Sequence, residues 1–299
     1  MLPMGKARQT ARFRNAGANQ RRATKIFARA TAGLLLVLCA GGGAQAATAP
    51  CDVGPEAAAA RNTHSLGALT WTPFGRPETG WAIYAPLIAQ EIGAACAPGS
   101  RGFAARLTSW QHAHDLPDTG ALDLATFTRL KQVWQQRRPF VEVSRTGCPP
   151  PPAESSLAQA SRAESFGGKI IWLRPAALAA YRQLAAAARA QVPELAADPR
   201  LLMIFSGYRS PDYDAARCAR EGNCQGIVRA VCSAHRTGLA MDLYLGAASG
   251  MAPDSSADAN RLFISGSPAY RWLVANAARF GFVNYAFEPW HWEWTGERP

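Results

Sequence analysis

Hydrophobic positions recur along this chain in two styles, and the change of style divides it. Residues 82–95 place Ile83, Leu87, Ile88 and Ile92 on one helical face. Residues 102–114 do the same with Phe103, Leu107 and Trp110, and a third helix to about 136 does so with Phe127, Leu130 and Trp134. Asp123 is placed to cap that third helix, and Asp118-Thr119-Gly120 turns the chain before it. The stretch 47–80 scatters Pro, Gly and Thr and predicts irregular backbone, with His64 as a solvated loop residue. His112 and His114, on or near the second helix, read as solvated too.

The run Cys148-Pro149-Pro150-Pro151-Pro152 ends any packed element, because consecutive prolines stiffen into polyproline II. Beyond it the periods mix. Residues 175–191 predict a helix starting at Pro175, with Leu178, Tyr181 and Leu184 in step. Leu201 to Phe205 is a short apolar run, as in a buried strand. Leu239 to Leu245 alternates, with Asp242 on the face opposite Met241 and Leu243. Residues 269–281 predict a helix closed by Gly281, and Val283 leads into a final strand. Helices mixed with short, non-adjacent strands predict an α+β fold. The expected layout is a small three-helix domain over 47–148, a Pro-rich linker over 149–160, and a domain over 161–299 with a small mixed or antiparallel sheet flanked by helices.

At 299 residues and 48% hydrophobic, the chain can bury a sizeable core. The formal charge of +11 invites a nucleic-acid reading, but its location removes that reading. Residues 1–46 carry Lys6, Arg8, Arg12, Arg14, Arg21, Arg22, Lys25 and Arg29 and no acid, so the remainder holds only +3. That leader has a basic region, an apolar run from Ala32 to Ala40, and the small-x-small pattern Ala44-Gln45-Ala46, so 1–46 reads as a signal peptide. An uncleaved anchor is the alternative. Arg21-Arg22 faintly resembles a twin-arginine export signal, and Leu38 before Cys39 argues against lipidation. After cleavage no stable membrane insertion is expected, and the mature chain would reside in the periplasm or cell wall.

Six cysteines then remain, Cys51, Cys96, Cys148, Cys218, Cys224 and Cys232. An even number in an exported chain reads as disulfides. Sequence does not fix the connectivity; the favoured pairing is Cys218 with Cys224, Cys51 with Cys96, and Cys148 with Cys232. A structural zinc site on 218, 224 and 232 is the rival, and it lacks any C-x-x-C pair.

Candidate chemistry gathers in two stretches. Trp290-His291-Trp292-Glu293-Trp294 puts His291 and Glu293 on one face of a strand and three tryptophans on the other. Glu288 has the wrong parity for the His291 face, and Pro289 predicts the bulge that would bring it there. His235 and Asp242 are separated by an odd offset, and Gly238 between them permits the necessary bend. Two histidines, an aspartate and a separate glutamate are the donor set and base of a catalytic zinc site.

Ser233, His235, Gly238, Ala240 and Asp242 form Ser-x-His-x-x-Gly-x-Ala-x-Asp, which resembles the VanY/VanX-like zinc D-alanyl-D-alanine carboxypeptidases. Glu288-Pro289-Trp290-His291-Trp292 resembles their second signature and Ser206-Gly207-Tyr208-Arg209-Ser210 a third. The resemblance implies Zn2+ held by His235, Asp242 and His291, with Glu288 as general base. It implies Arg209 as stabiliser of the oxyanion or holder of a substrate carboxylate, and Ser233 as a contact to the peptide. The implied substrates are peptidoglycan stem peptides, with release of terminal D-alanine. An endopeptidase of the same fold is the alternative, and a non-catalytic wall-binding protein a more distant one. Asp214 stands where many members carry glutamine, which would add negative charge near the substrate. Trp110-Gln111, Leu116-Pro117-Asp118-Thr119-Gly120, Ala125-Thr126-Phe127 and Leu130 resemble a three-helix peptidoglycan-binding module, with Asp115 where that family has glycine.

Overall fold

The apolar stripes of the first region converge on a core of Trp81, Tyr84, Ile88, Phe103, Leu107, Phe127 and Leu130. The computed structural model describes residues 50–225 and 231–299, so the expected leader lies outside the described residues. The described part of the stretch 47–80, from residue 50, is not irregular throughout. Helix α1 spans Glu56–Ala68, and strands β1 (Thr70–Trp71) and β2 (Glu78–Thr79) form an antiparallel hairpin. Helix α1 buries only Ala58, Ala59 and Asn62, small or polar residues that a search for large apolar side chains passes over. His64 is exposed on this helix and not in a loop. The segment expected as one helix from 82 is a 3-10 turn, Ala82–Tyr84, leading into α2, Ala85–Glu91.

Helices α3 (Arg101–Ala113) and α4 (Leu124–Gln136) are capped by Ser100 and Asp123, whose side chains accept from the amides of Phe103 and Thr126. Gln111 is fully buried and ties the turn to α4. Its amide donates to Thr126 Oγ1 at 2.9 Å and to the Ala121 carbonyl at 3.1 Å, and its oxygen accepts from Gly120 N at 2.8 Å. Asn62 holds the turn from the other side, through Gly120 O and Leu122 N. Gly120 adopts φ 63°, where a side chain would be strained. His114 is not simply solvated: its ring stacks on Trp110 at 3.9 Å. His112 is exposed beside Asp118. A short helix, α5, spans Pro139–Val143.

The proline run leads into strand β3 (Ala158–Gln159), which pairs antiparallel with β4 (Trp172–Leu173). Helix α6 (Pro175–Gln191) and the short α7 (Pro193–Ala197) follow, then β5 (Ile204–Ser206) and α8 (Pro211–Glu221). Strand β6 is Ala240–Leu243, α9 Asp258–Ser265, α10 Pro268–Asn276, β7 Phe282–Tyr285 and β8 Glu288–Trp294. The sheet runs β5-β6-β8-β7, antiparallel throughout. Met241, Leu243, Trp290 and Trp292 pack from it against Leu178, Tyr181 and Leu184 of α6 and Tyr270 and Leu273 of α10. The fold is therefore α+β, with a small antiparallel sheet among helices.

The two cores meet closely, and the described residues form one compact unit. Ala286 and Phe287, from the β7–β8 turn, belong to the first core, where Phe287 lies 5.1 Å from Phe74. Arg261 of α9 is completely buried and donates to Glu78 Oε1 at 2.9 Å, to the Tyr84 hydroxyl, and to the Phe287 carbonyl at 2.8 Å. Disulfides join Cys51 to Cys96, Cys148 to Cys232 and Cys218 to Cys224, the pairing favoured from the sequence. Among the described residues no helix is long and apolar enough to cross a membrane.

Candidate metal centre and active-site cleft

Three polar side chains are brought together by strand register and one bend. Asp242 on β6 and His291 on β8 are direct cross-strand partners. His235 enters from a 3-10 turn, Ala234–Thr237, which ends at Gly238 with φ 71°, so the chain bends before β6 begins. His235 Nε2 lies 3.2 Å from Asp242 Oδ2, and His291 Nδ1 lies 2.9 Å from Asp242 Oδ1. One donor atom from each of the three residues lies within 4.8 Å of the others, and all three residues are buried.

The outward nitrogen of each imidazole is anchored. His235 Nδ1 donates to the Gly207 carbonyl at 2.7 Å, which turns its Nε2 lone pair toward Asp242. His291 Nε2 lies 3.4 Å from Glu293 Oε1. Burial, then the nearby Arg209 charge, lowers the His235 pKa, so that ring stays neutral. Burial opposes charging of His291 as well, but hydrogen bonds to Asp242 and Glu293 push its pKa up to about 9. Asp242 is buried, yet the two imidazoles, His235 foremost, hold its carboxyl well below the usual range.

These residues fit a divalent cation. Ligands at about 2 Å around a tetrahedral zinc sit roughly 3.3 Å apart, and the two imidazole–carboxylate approaches, 3.2 and 2.9 Å, are of that size. The donors are of zinc-binding type, and their outer hydrogen bonds fix the ring orientations as metal-ligating histidines require. The raised His291 pKa shows that the surrounding carboxylates favour positive charge at this point.

Glu288 stands beside the donors, Oε2 4.0 Å from His291 Nδ1. It gets there through a break in the β7–β8 register: Asn284 pairs with Trp292, but Tyr285 pairs with Glu288. The irregularity expected at Pro289 is held by Asn284 Nδ2, which donates to the His291 carbonyl at 2.8 Å, and by Trp292 Nε1, which donates to the Pro289 carbonyl at 3.1 Å. Burial raises the Glu288 pKa, and the Asp242 carboxylate adds to that rise.

Arg209 and Ser233 line the same cleft, which has a volume of about 230 Å³ and also receives Arg138, Phe140, Arg217 and Tyr285. Asp214 is buried on the first turn of α8 and spends both oxygens on the protein. Oδ1 lies 3.0 Å from Arg209 Nε, in poor alignment, and Oδ2 accepts from Ser233 Oγ at 2.5 Å. Its charge is thus directed at Arg209 and Ser233, and the Ser233 hydroxyl proton points away from the cleft. All six predicted site residues face one cleft. Glu293 and Arg138 had no role assigned from the sequence. Glu293 was visible as a carboxylate sharing the His291 face, whereas Arg138 carries no local signal.

The sheet, the buried donor triad and the carboxylate at its side make an α+β arrangement whose residues could hold a metal ion at an open cleft. Residues 170–297 match the family model described as VanY, D-alanyl-D-alanine carboxypeptidase. Among solved structures it is similar to the LdcB LD-carboxypeptidase, described in the context of peptidoglycan recognition, with 22% identity and a TM-score of 0.31. That match covers 42% of this chain and 60% of the other. No curated protein matches this chain.

Proposed function

We propose that this protein is an exported, zinc-dependent D-alanyl-D-alanine carboxypeptidase that trims peptidoglycan stem peptides. One observation carries the reading: His235, Asp242 and His291 present a donor atom each within 4.8 Å, with Glu288 beside them in a cleft that Arg209 also lines. The family match to residues 170–297 supports the choice of bond. Three disulfides among the described residues support an oxidising compartment outside the cytoplasm.

In this reading His235, Asp242 and His291 hold the zinc. When bound, it supplies a Lewis acid that polarises the scissile carbonyl and lowers the pKa of water from 15.7 toward about 7. Glu288 takes the proton from the attacking water and returns it to the leaving amine as the C–N bond breaks. The products are a shortened stem peptide and free D-alanine. Arg209, with its fixed fork of donors, binds the developing oxyanion or the substrate's terminal carboxylate. Ser233, its proton committed to Asp214, offers the peptide an acceptor. The N-terminal helices, whose turn is fastened by Gln111, serve in this reading to hold the wall.

The test is the mass profile of muropeptides after incubation with the full chain. Pentapeptide stems should lose one alanine residue; a chelator should stop the loss and added zinc restore it. An internal cut in place of terminal loss would reassign the protein to an endopeptidase of the same fold. Unchanged masses, or loss indifferent to chelator, would end the zinc carboxypeptidase reading.

A further inference from the structure

The helices before the proline run reach into the metal centre. We propose that Arg138, at the junction of α4 and α5, is a positioning residue of that centre, acting on His291 through Glu293. Arg138 Nε and Nη2 approach Glu293 Oε1 at 2.6 and 2.5 Å, and the Phe140 amide donates to Oε2 at 3.2 Å. Glu293 is 1% exposed, and the same Oε1 faces His291 Nε2. The guanidinium is itself fixed: Nη1 donates to Gln135 Oε1 at 2.6 Å, and Cζ lies 4.0 Å over the Tyr285 ring.

Glu293 can accept from His291 Nε2 only while its carboxylate stays in place, and a buried carboxylate is costly without a partner. Arg138 is that partner. With Nε2–H held outward, His291 Nδ1 points at Asp242 and at the position the three donors share. A second contact from the same region acts on Glu288, because the preceding residue, Phe287, is packed into the core of the first region. The two functional residues of β8 are therefore steered by a part of the chain that lies before the matched family segment. A detachable wall anchor would have no need of these contacts.

This inference rests on the metal-site reading, and the experiment separates the two. The zinc dissociation constant of the full chain is measured by competition with a chromophoric chelator for wild type, Arg138→Ala and Arg138→Lys, with near-UV circular dichroism and melting curves alongside. Removing an outer partner of a metal-bound histidine typically weakens metal binding about 10–100-fold, and that is the loss expected for Arg138→Ala. Arg138→Lys keeps the charge and loses the fork, so its affinity should fall between the two. If the alanine variant does not fold, the lysine variant carries the test, with at least about threefold weaker binding expected. A folded variant that binds zinc as tightly as wild type would overturn the role of Arg138 and leave the metal site standing. A wild-type chain that binds no zinc would overturn both.

Discussion

Glu288→Gln separates the proposed acid–base role of this residue from the proposed metal site beside it. The substitution keeps the side-chain volume and removes the charge. Glu288 is not among the three converging donors, and its oxygen lies 4.0 Å from His291 Nδ1, leaving the donor set intact. A positioned general base contributes about 10²–10⁴-fold, or roughly 2.7–5.4 kcal/mol at 1.36 kcal/mol per decade. The variant should lose that much kcat. Stability should move the other way. Burial raises the Glu288 pKa in the folded state, so its ionisation near neutral pH opposes folding, and an uncharged glutamine removes that opposition. D-alanine release from a D-alanyl-D-alanine peptide gives the rate, elemental analysis the zinc content, and a melting curve the stability. Activity within about tenfold of wild type in a zinc-loaded variant would refute the assignment of Glu288 as the base. Loss of zinc would refute the claim that it stands outside the donor set.

Two further outcomes follow from the buried charges. Arg261→Met removes the buried guanidinium 2.9 Å from Glu78 and leaves that carboxylate the Tyr84 hydroxyl and a more distant Arg76; breaking a buried ion pair costs about 3–5 kcal/mol. At roughly 2–4 °C per kcal/mol the melting temperature should fall by about 6–20 °C, with part regained in the Glu78→Gln, Arg261→Met double variant. Zinc affinity should weaken as pH falls below about 9, by about tenfold per unit, because the raised His291 pKa means that a proton must leave Nδ1 before a metal can bind. Titration calorimetry in buffers of different ionisation enthalpy counts that proton; pH-independent affinity between about 7 and 9 would contradict it.

The elements with large side chains in step were legible in the sequence. The stripes of α3, α4 and α6 each state which face is buried, because bulky residues dominate the period, whereas the alternation in β6 marks two faces that are both buried. Helix α1 was not, since its inward face is Ala58, Ala59 and Asn62, and small residues leave little trace in a hydrophobicity pattern. The donor triad was legible through its motifs, and its geometry only in part. Alternation placed Asp242 on one face of its strand, and Pro289 and Gly238 marked where the parity had to break. That Asp242 and His291 stand opposite each other is a matter of strand pairing over 49 positions, which periodicity does not encode.

The division into domains shows the same limit from the other direction. A proline run is a sound sign that secondary structure stops, but not that contacts stop. Polyproline II is a spacer only where its ends are free, and here Cys148 is bonded to Cys232 while residues 158–159 pair with β4. Arg138 and Glu293 are 155 positions apart, and no local rule relates an arginine after one helix to a glutamate on the last strand. What brings them together is the turn between β7 and β8. Phe287 faces one core and Trp290 the other, so the segment bearing Glu288 and His291 is clamped from both sides. A strand in that position needs no long reach from either region to be steered by both. For this reason the active-site cleft takes Arg138 and Phe140 from one side of the proline run and Arg209 and Ser233 from the other.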